Sequence, residues 1–211
     1  MATTRKNERK EVVRQPASND VRSRAASRRE AAPHPVRWTR EQYYRMGKLG
    51  WFDGKRVELI DGEIVEMSPI GTVHAAVVVI VQETLQKVFT QNCHIRSQAP
   101  VSILESSEPE PDIAVVAGSA RDYLGSHPKT ALLVVEVSDA TLSIGRTRKS
   151  LIYAQAGIPE YWIVNLKARQ PEVRRNPTAK GYSSTQTLKE TDEVSPFSAP
   201  DTKVKVADLL P

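Results

Sequence analysis

The sequence predicts an α/β (α+β) fold, a central mixed β-sheet flanked by helices and preceded by an N-terminal hairpin. Three observations predict it. Residues 112–116 (DIAVV) and 132–137 (LLVVEV) are short apolar runs of the kind found in central strands. Segments with helical character, residues 72–89 and 146–156, stand around those runs. An Asp61-Gly62 dipeptide separates two apolar stretches, which is the signature of a type I′ hairpin. The chain is too rich in strands for a helical bundle.

The elements follow in order. Thr39 and Gln42 fit a capping box, so a short helix is expected from residue 40 to about 49, stopping at Gly50. Residues 56–67 (RVELIDGEIVEM) read as the hairpin. Residues 72–89 contain neither Gly nor Pro; their Val-rich run resembles a strand, but its unbroken length favours a buried helix. Residues 94–104 read as one or two strands, with Pro100 near an edge or bulge. A surface connection with a helical turn is expected over 119–128. The helix over 146–156 is stopped by Gly157 and Pro159. Residues 161–166 (YWIVNL) form another strand, and weaker strands over 172–175 and 182–188 meet near Lys180-Gly181.

A chain of 211 residues suits one domain. Its lone cysteine, Cys93, excludes a disulfide framework and any multi-cysteine zinc site. No apolar run is long enough to span a membrane, and the N-terminus has no apolar signal region, so a soluble cytoplasmic protein is expected. The net charge of +5 is unevenly placed. Residues 1–40 hold eleven basic and four acidic side chains, a net +7, which leaves −2 for the remainder. Residues 1–37 lack the apolar content to offset the entropy of ordering and are expected to be a disordered basic tail. Residues 38–211 are expected to form the single folded domain. The tail is either plainly solvated or a basic arm that adds non-specific phosphate affinity.

Ionisable residues inside apolar strands mark candidate chemistry, because a buried charge is costly unless paired or bound to a metal. Glu58 interrupts the first hairpin strand, Asp112 follows Pro111 at the start of a strand, and Glu136 lies within LLVVEV. Lys149 follows on the next helix. Three have an ordinary reading: a solvated hairpin face for Glu58, a turn acceptor for Asp112, an exposed helix face for Lys149; Glu136, with apolar neighbours on both sides, is harder to dismiss. The combination is more informative. Adjacent strands can present Asp112 and Glu136 side by side as oxygen ligands for Mg²⁺ or Mn²⁺, and a nearby lysine can position a water or offset phosphate charge. That set suits phosphodiester hydrolysis. A carboxylate pair also serves glycosidases, but no aromatic-lined sugar cleft is indicated.

From about Trp38 to Asn165 the sequence resembles the Uma-two family of endonucleases, within the PD-(D/E)XK nuclease superfamily. The matching pieces are VELIDGEIVEMSPIG (57–71), HAAVV (74–78), EPEPDIAVV (108–116), RDYL (121–124), LLVVEVSDATL (132–142) and YAQAGIPEYWIVNL (153–166). The resemblance implies a restriction-endonuclease-like core and a divalent metal site. It matches Asp112 to the motif aspartate, Glu136 to the acid of the next strand, and Glu58 to an early glutamate completing a three-carboxylate metal cluster. Ser138 stands where the superfamily's lysine usually is, and the role moves to Lys149. His74 matches a histidine at the start of the long helix, either touching a phosphate or water or serving as a partly buried helix residue. Tyr153, Tyr161 and Trp162 also match and read as packing. One departure is Gly145, which replaces an acid four residues before the lysine and removes a partner expected for Lys149 or Arg146.

The leading expectation is therefore a Mg²⁺- or Mn²⁺-dependent endonuclease acting on DNA, with a homodimer in keeping with the superfamily. The alternative is a catalytically silent module that binds nucleic acid or protein on the same fold, and a third is an accessory protein whose partner completes the site.

Overall fold

The computed structural model describes Met1, residues 34–139 and residues 142–211. Residues 36–211 cluster as one unit. The expectation of a disordered tail over 1–37 lies, save for Met1 and residues 34–37, outside the described residues.

Helix α1 (Arg40–Lys48) opens on the expected capping box. Thr39 Oγ1 accepts the Gln42 amide (3.3 Å) and Gln42 Oε1 accepts the Thr39 amide (2.9 Å). Strands β1 (Val57–Ile60) and β2 (Glu63–Glu66) pair antiparallel. Asp61 and Gly62 between them have φ of 48° and 73°, the two positive values that a type I′ turn needs. Gly62 is required twice over. A Cβ there would fall 2.7 Å from Arg37 Cβ, where Arg37 crosses the turn to donate to the Asp61 carbonyl and to Glu63 (2.7 Å each).

The central sheet has six strands in the order β3-β4-β5-β6-β7-β8. These are β3 (Cys93–Ser97), β4 (Ile113–Ala117), β5 (Leu133–Ser138), β6 (Glu160–Asn165), β7 (Gln170–Thr178) and β8 (Gly181–Thr187). Only β5 and β6 run parallel, so the sheet is mixed as expected. A parallel pair needs a crossover. Here it carries α3 (Leu142–Ile144), a π-turn (Gly145–Lys149) and α4 (Ser150–Gln155), starting four residues before the predicted helix.

Alternation along the strands builds two cores. Helix α2 (Thr72–Val88) lays Val77, Val81 and Leu85 on Ile113, Val115, Leu133 and Val135. The opposite face, with Ala114, Val116 and Val134, packs against Ile152 and Tyr153 of α4. Glu136 shares the parity of Val134 and so lies on the α4 face. The sheet is thus covered on both sides, which is why β5 is buried from end to end.

Two differences from the predicted elements have physical causes. Residues 98–104 form no strand: Gln98 takes a φ of 47° and Pro100 can donate no ladder bond. Val101 and Ile103 are buried there regardless, with the Val101 amide on the Pro109 carbonyl (3.0 Å). The C-terminal segment adds β9 (Glu193–Val194), β10 (Val204–Lys205) and a 3-10 turn (Val206–Leu209) that seats Val206 and Leu209 against the α2-side core. These elements are too short to carry periodicity.

Leu85→Ala removes a wholly buried side chain between α2 and the sheet. Urea unfolding should show a loss of about 2–5 kcal/mol, and a loss under 1 kcal/mol would contradict this packing.

Candidate active site

The sheet supplies the first carboxylates. The β4–β5 pairing reaches Ile113 opposite Val135, so the next position on each strand sets Asp112 beside Glu136. Asp112 then joins the ladder with its side chain: Oδ2 accepts the Val137 amide at 2.8 Å. Asp112 Oδ1 lies 3.0 Å from His74 Nε2, on the first turn of α2, and 3.4 Å from Gln98 Nε2.

The hairpin and the crossover supply the rest. Glu58 is buried on β1, and its Oε2 accepts the Glu110 amide (3.1 Å). Leu59 bridges to Glu108, which docks β1 against the segment leading into β4. Lys149, the last residue of the π-turn, is buried with Nζ 3.1 Å from Glu58 Oε2 and 3.0 Å from Glu136 Oε1. Arg148 ties the same turn to the hairpin through the Ile60 carbonyl (3.1 Å) and Glu63 (2.8 Å).

All five predicted residues therefore gather at one end of β5, but in two bonded groups: Lys149 between Glu58 and Glu136, and His74 on Asp112. The three carboxylates expected to form a metal cluster are divided between these two groups. Among the described residues no three His, Cys, Asp or Glu side chains converge as a metal centre, and Glu58 Oε2 is committed to Lys149 and a backbone amide. What remains is a pair, Asp112 and Glu136. Two hard carboxylates plus waters fit Mg²⁺ or Mn²⁺.

Gly145 stands where an acid would offer Lys149 or Arg146 a partner. The missing acid leaves no cation unpaired: Lys149 has Glu58 and Glu136, while Arg146 pairs with the buried Glu172 of β7 (Nε to Oε1 2.6 Å). The Gly145 carbonyl accepts the Tyr161 hydroxyl (3.1 Å), and a Cβ at Gly145 would stand 3.3 Å from that oxygen.

Sequence reasoning missed Tyr153, which appeared only as packing. Its hydroxyl donates to Glu136 Oε1 at 2.8 Å. The signal was its spacing, four residues beyond Lys149 on one helical segment. Gln98, in a stretch misread as strand, was missed without any such signal.

The electrostatics follow from burial and pairing. Burial pushes the Asp112 carboxyl up, but the His74 hydrogen bond and charge, the Val137 amide and the Lys149 ammonium outweigh it and hold it below its ordinary value. The Asp112 bond raises His74 against the effect of burial. Burial pushes Glu136 up to about 7, with Lys149 opposing and Asp112 and Glu58 adding to the rise. Burial alone would favour neutral Lys149; Glu136 and Glu58 reverse this and keep it protonated.

With this geometry in place, comparison with known proteins becomes informative. A family model described as "Uma2: Putative restriction endonuclease" matches residues 40–207. The chain belongs to the Uma2 family. A crystal structure described as "a putative nuclease belonging to DUF820", from Anabaena variabilis ATCC 29413, superposes with a TM-score of 0.64 at 15% identity. The match covers 83% of this chain and 97% of that one, and it shows the shared fold. No match was found among curated proteins. Family and fold together make this Uma2 chain a restriction-endonuclease-like, nuclease-type protein. Among the described residues no helix is long and apolar enough to cross a membrane.

The His74–Asp112 pair gives a pH signature. The raised His74 contributes stability that is complete below its ordinary 6.5 and is lost as pH rises through the folded value. The lowered Asp112 contributes above its ordinary 3.8 and is lost on acidification. In protein without added metal, the stability difference between wild type and His74→Gln should be greatest near pH 5 and shrink above 6.5. A difference constant from pH 5 to 9 would contradict the ion pair.

Proposed function

We propose that this chain is a divalent-metal-dependent endonuclease that hydrolyses DNA phosphodiester bonds, using Mg²⁺ or Mn²⁺. The observation that carries this reading is the Asp112–Glu136 pair on neighbouring strands with Lys149 Nζ on Glu136 Oε1. Asp112 and Glu136 would hold the cation. When bound, it supplies Lewis-acid polarisation of a phosphoryl oxygen and lowers the pKa of a water.

The chain's own residues do the positioning. Lys149 has three N–H donors, two of them directed to Glu58 and Glu136, so one is left for a phosphate oxygen or the attacking water. Glu58 keeps that ammonium in place and charged. His74 orients Asp112 through Oδ1, while Val137 fixes Oδ2. Arg146 and Arg148 precede Lys149 on the π-turn and are partly exposed, so they can meet the backbone of a nucleic acid on this otherwise acidic domain. One chain would cut one strand; a homodimer would cut both.

One observation favours a second reading, the silent binding module. Lys149, Glu58 and Glu136 already satisfy one another as a closed ion trio. In that reading DNA binding depends on the basic residues 1–37.

Supercoiled plasmid with Mg²⁺ separates the two. Wild-type protein should nick it, and Asp112→Asn, which keeps an acceptor for the Val137 amide, should lose more than about 100-fold in rate with the fold retained. Equal nicking by both would overturn the proposal. Deleting residues 1–35, which keeps the Arg37 contacts to the hairpin turn, should spare metal-dependent cleavage; loss of all DNA binding, with no cleavage before deletion, would support the silent module.

A further inference from the structure

Glu136 receives both of its hydrogen bonds on one oxygen. Lys149 Nζ donates to Oε1 at 3.0 Å and the Tyr153 hydroxyl donates to the same Oε1 at 2.8 Å. Among the described residues no donor reaches Oε2. We propose that Tyr153 is a positioning residue for the cation site, fixing the Glu136 carboxylate so that Oε1 is held by the protein and Oε2 is reserved for the metal. This rests on the reading of Asp112 and Glu136 as metal ligands.

Lysine cannot fix the carboxylate by itself. Its ammonium sits on a flexible four-carbon stem and is shared with Glu58, so it can follow a rotating carboxylate or slide toward the other acid. Tyr153 cannot follow. Its side chain has two torsions, its ring is wholly buried, and the Tyr161 ring packs against it at 5.1 Å between centroids. The hydroxyl therefore marks one fixed point, and the carboxylate must bring Oε1 to it. Burial and the charge of Glu136 raise the phenol well above its ordinary range, so it remains a donor.

Asp112 is held on both oxygens. Its Oδ2 is held by the Val137 amide, while Oδ1 carries His74 and a long contact from Gln98. Each carboxylate of the pair thus has at least one oxygen anchored to scaffold. Two anchored carboxylates are preorganised for a small cation that retains several waters.

Tyr182→Phe is the control. Tyr182 belongs to the same aromatic row, stacked on Tyr161 at 6.1 Å, but its hydroxyl bonds the Ile158 carbonyl (2.8 Å) and touches neither carboxylate. Mn²⁺ binding to the full chain should be measured by titration calorimetry, alongside Mg²⁺-dependent nicking and thermal melting. Tyr153→Phe should weaken Mn²⁺ about 10–100-fold and lower kcat, with KM for DNA unchanged and Tm close to that of Tyr182→Phe. Tyr182→Phe should bind Mn²⁺ like wild type. Unchanged affinity in Tyr153→Phe, or an equal loss in Tyr182→Phe, would overturn the inference. Wild-type protein that binds Mn²⁺ but cuts nothing would overturn the nuclease reading and leave this test standing; wild type that binds no Mn²⁺ overturns both. Should Tyr153→Phe not fold, a crystal structure of wild type with Mn²⁺ decides. The cation should sit about 2.1 Å from Glu136 Oε2 with Oε1 still on Tyr153, and a cation on Oε1 would overturn the inference.

Discussion

The buried ammonium of Lys149 is the constraint on which the site depends. A lone charge in this interior would be severely unfavourable, and neutralising it would leave two buried glutamates without their partner. Glu58 comes from the hairpin, Glu136 from the middle of the sheet and Lys149 from the crossover, so one charge group holds three regions of chain in register. The neighbouring contacts reinforce that geometry. Leu59 meets Glu108 along the backbone, and Arg148 reaches the Ile60 carbonyl from the residue beside Lys149. Without the hairpin docked in this way Lys149 would lose one carboxylate, and without the crossover the hairpin would lose its cation.

Topology explains why the lysine can sit off the strand. β5 and β6 are parallel, and the connection between them must cross one face of the sheet. Glu136 points to that same face, so a residue on the connecting helix can reach it directly. Ser138, two residues past Glu136 on β5, is buried, and its Oγ makes no hydrogen bond among the described residues. The strand itself therefore contributes carboxylate chemistry, and the positive charge arrives from above.

Much of this was legible in the residues because local rules and tertiary needs agree. Thr39 and Gln42 form the predicted cap, Asp61-Gly62 forms the predicted turn, and the carboxylates flanked by apolar neighbours lie where burial makes them costly. Other features depended on contacts distant in sequence. Nothing near Gly145 announces that its carbonyl takes a hydroxyl from Tyr161, and nothing near Arg146 names Glu172 as its partner. An acid's residue type does not reveal what already occupies its oxygens. Glu58 spends Oε2 on an amide and an ammonium, which only the fold discloses. Val101 and Ile103 look like strand residues by burial, yet Gln98 and Pro100 withdraw the backbone from the ladder.

The π-turn over Gly145–Lys149 sets the phase of the crossover. An α-helix advances about 100° per residue, and a single π-turn amounts to one extra residue wound into it. Everything after the turn is rotated by that step relative to α3. The Ser150 amide closes the wide loop on the Gly145 carbonyl, and Tyr161 occupies the same oxygen from the sheet. Lys149 and Tyr153, four residues apart on one face, are therefore turned together relative to α3. A one-residue change of length between Ser138 and Lys149 would turn both away from Glu136 together, whereas the same change in the surface turn between β7 and β8 would leave them in place. The length of one connection is in this sense part of the site's chemistry.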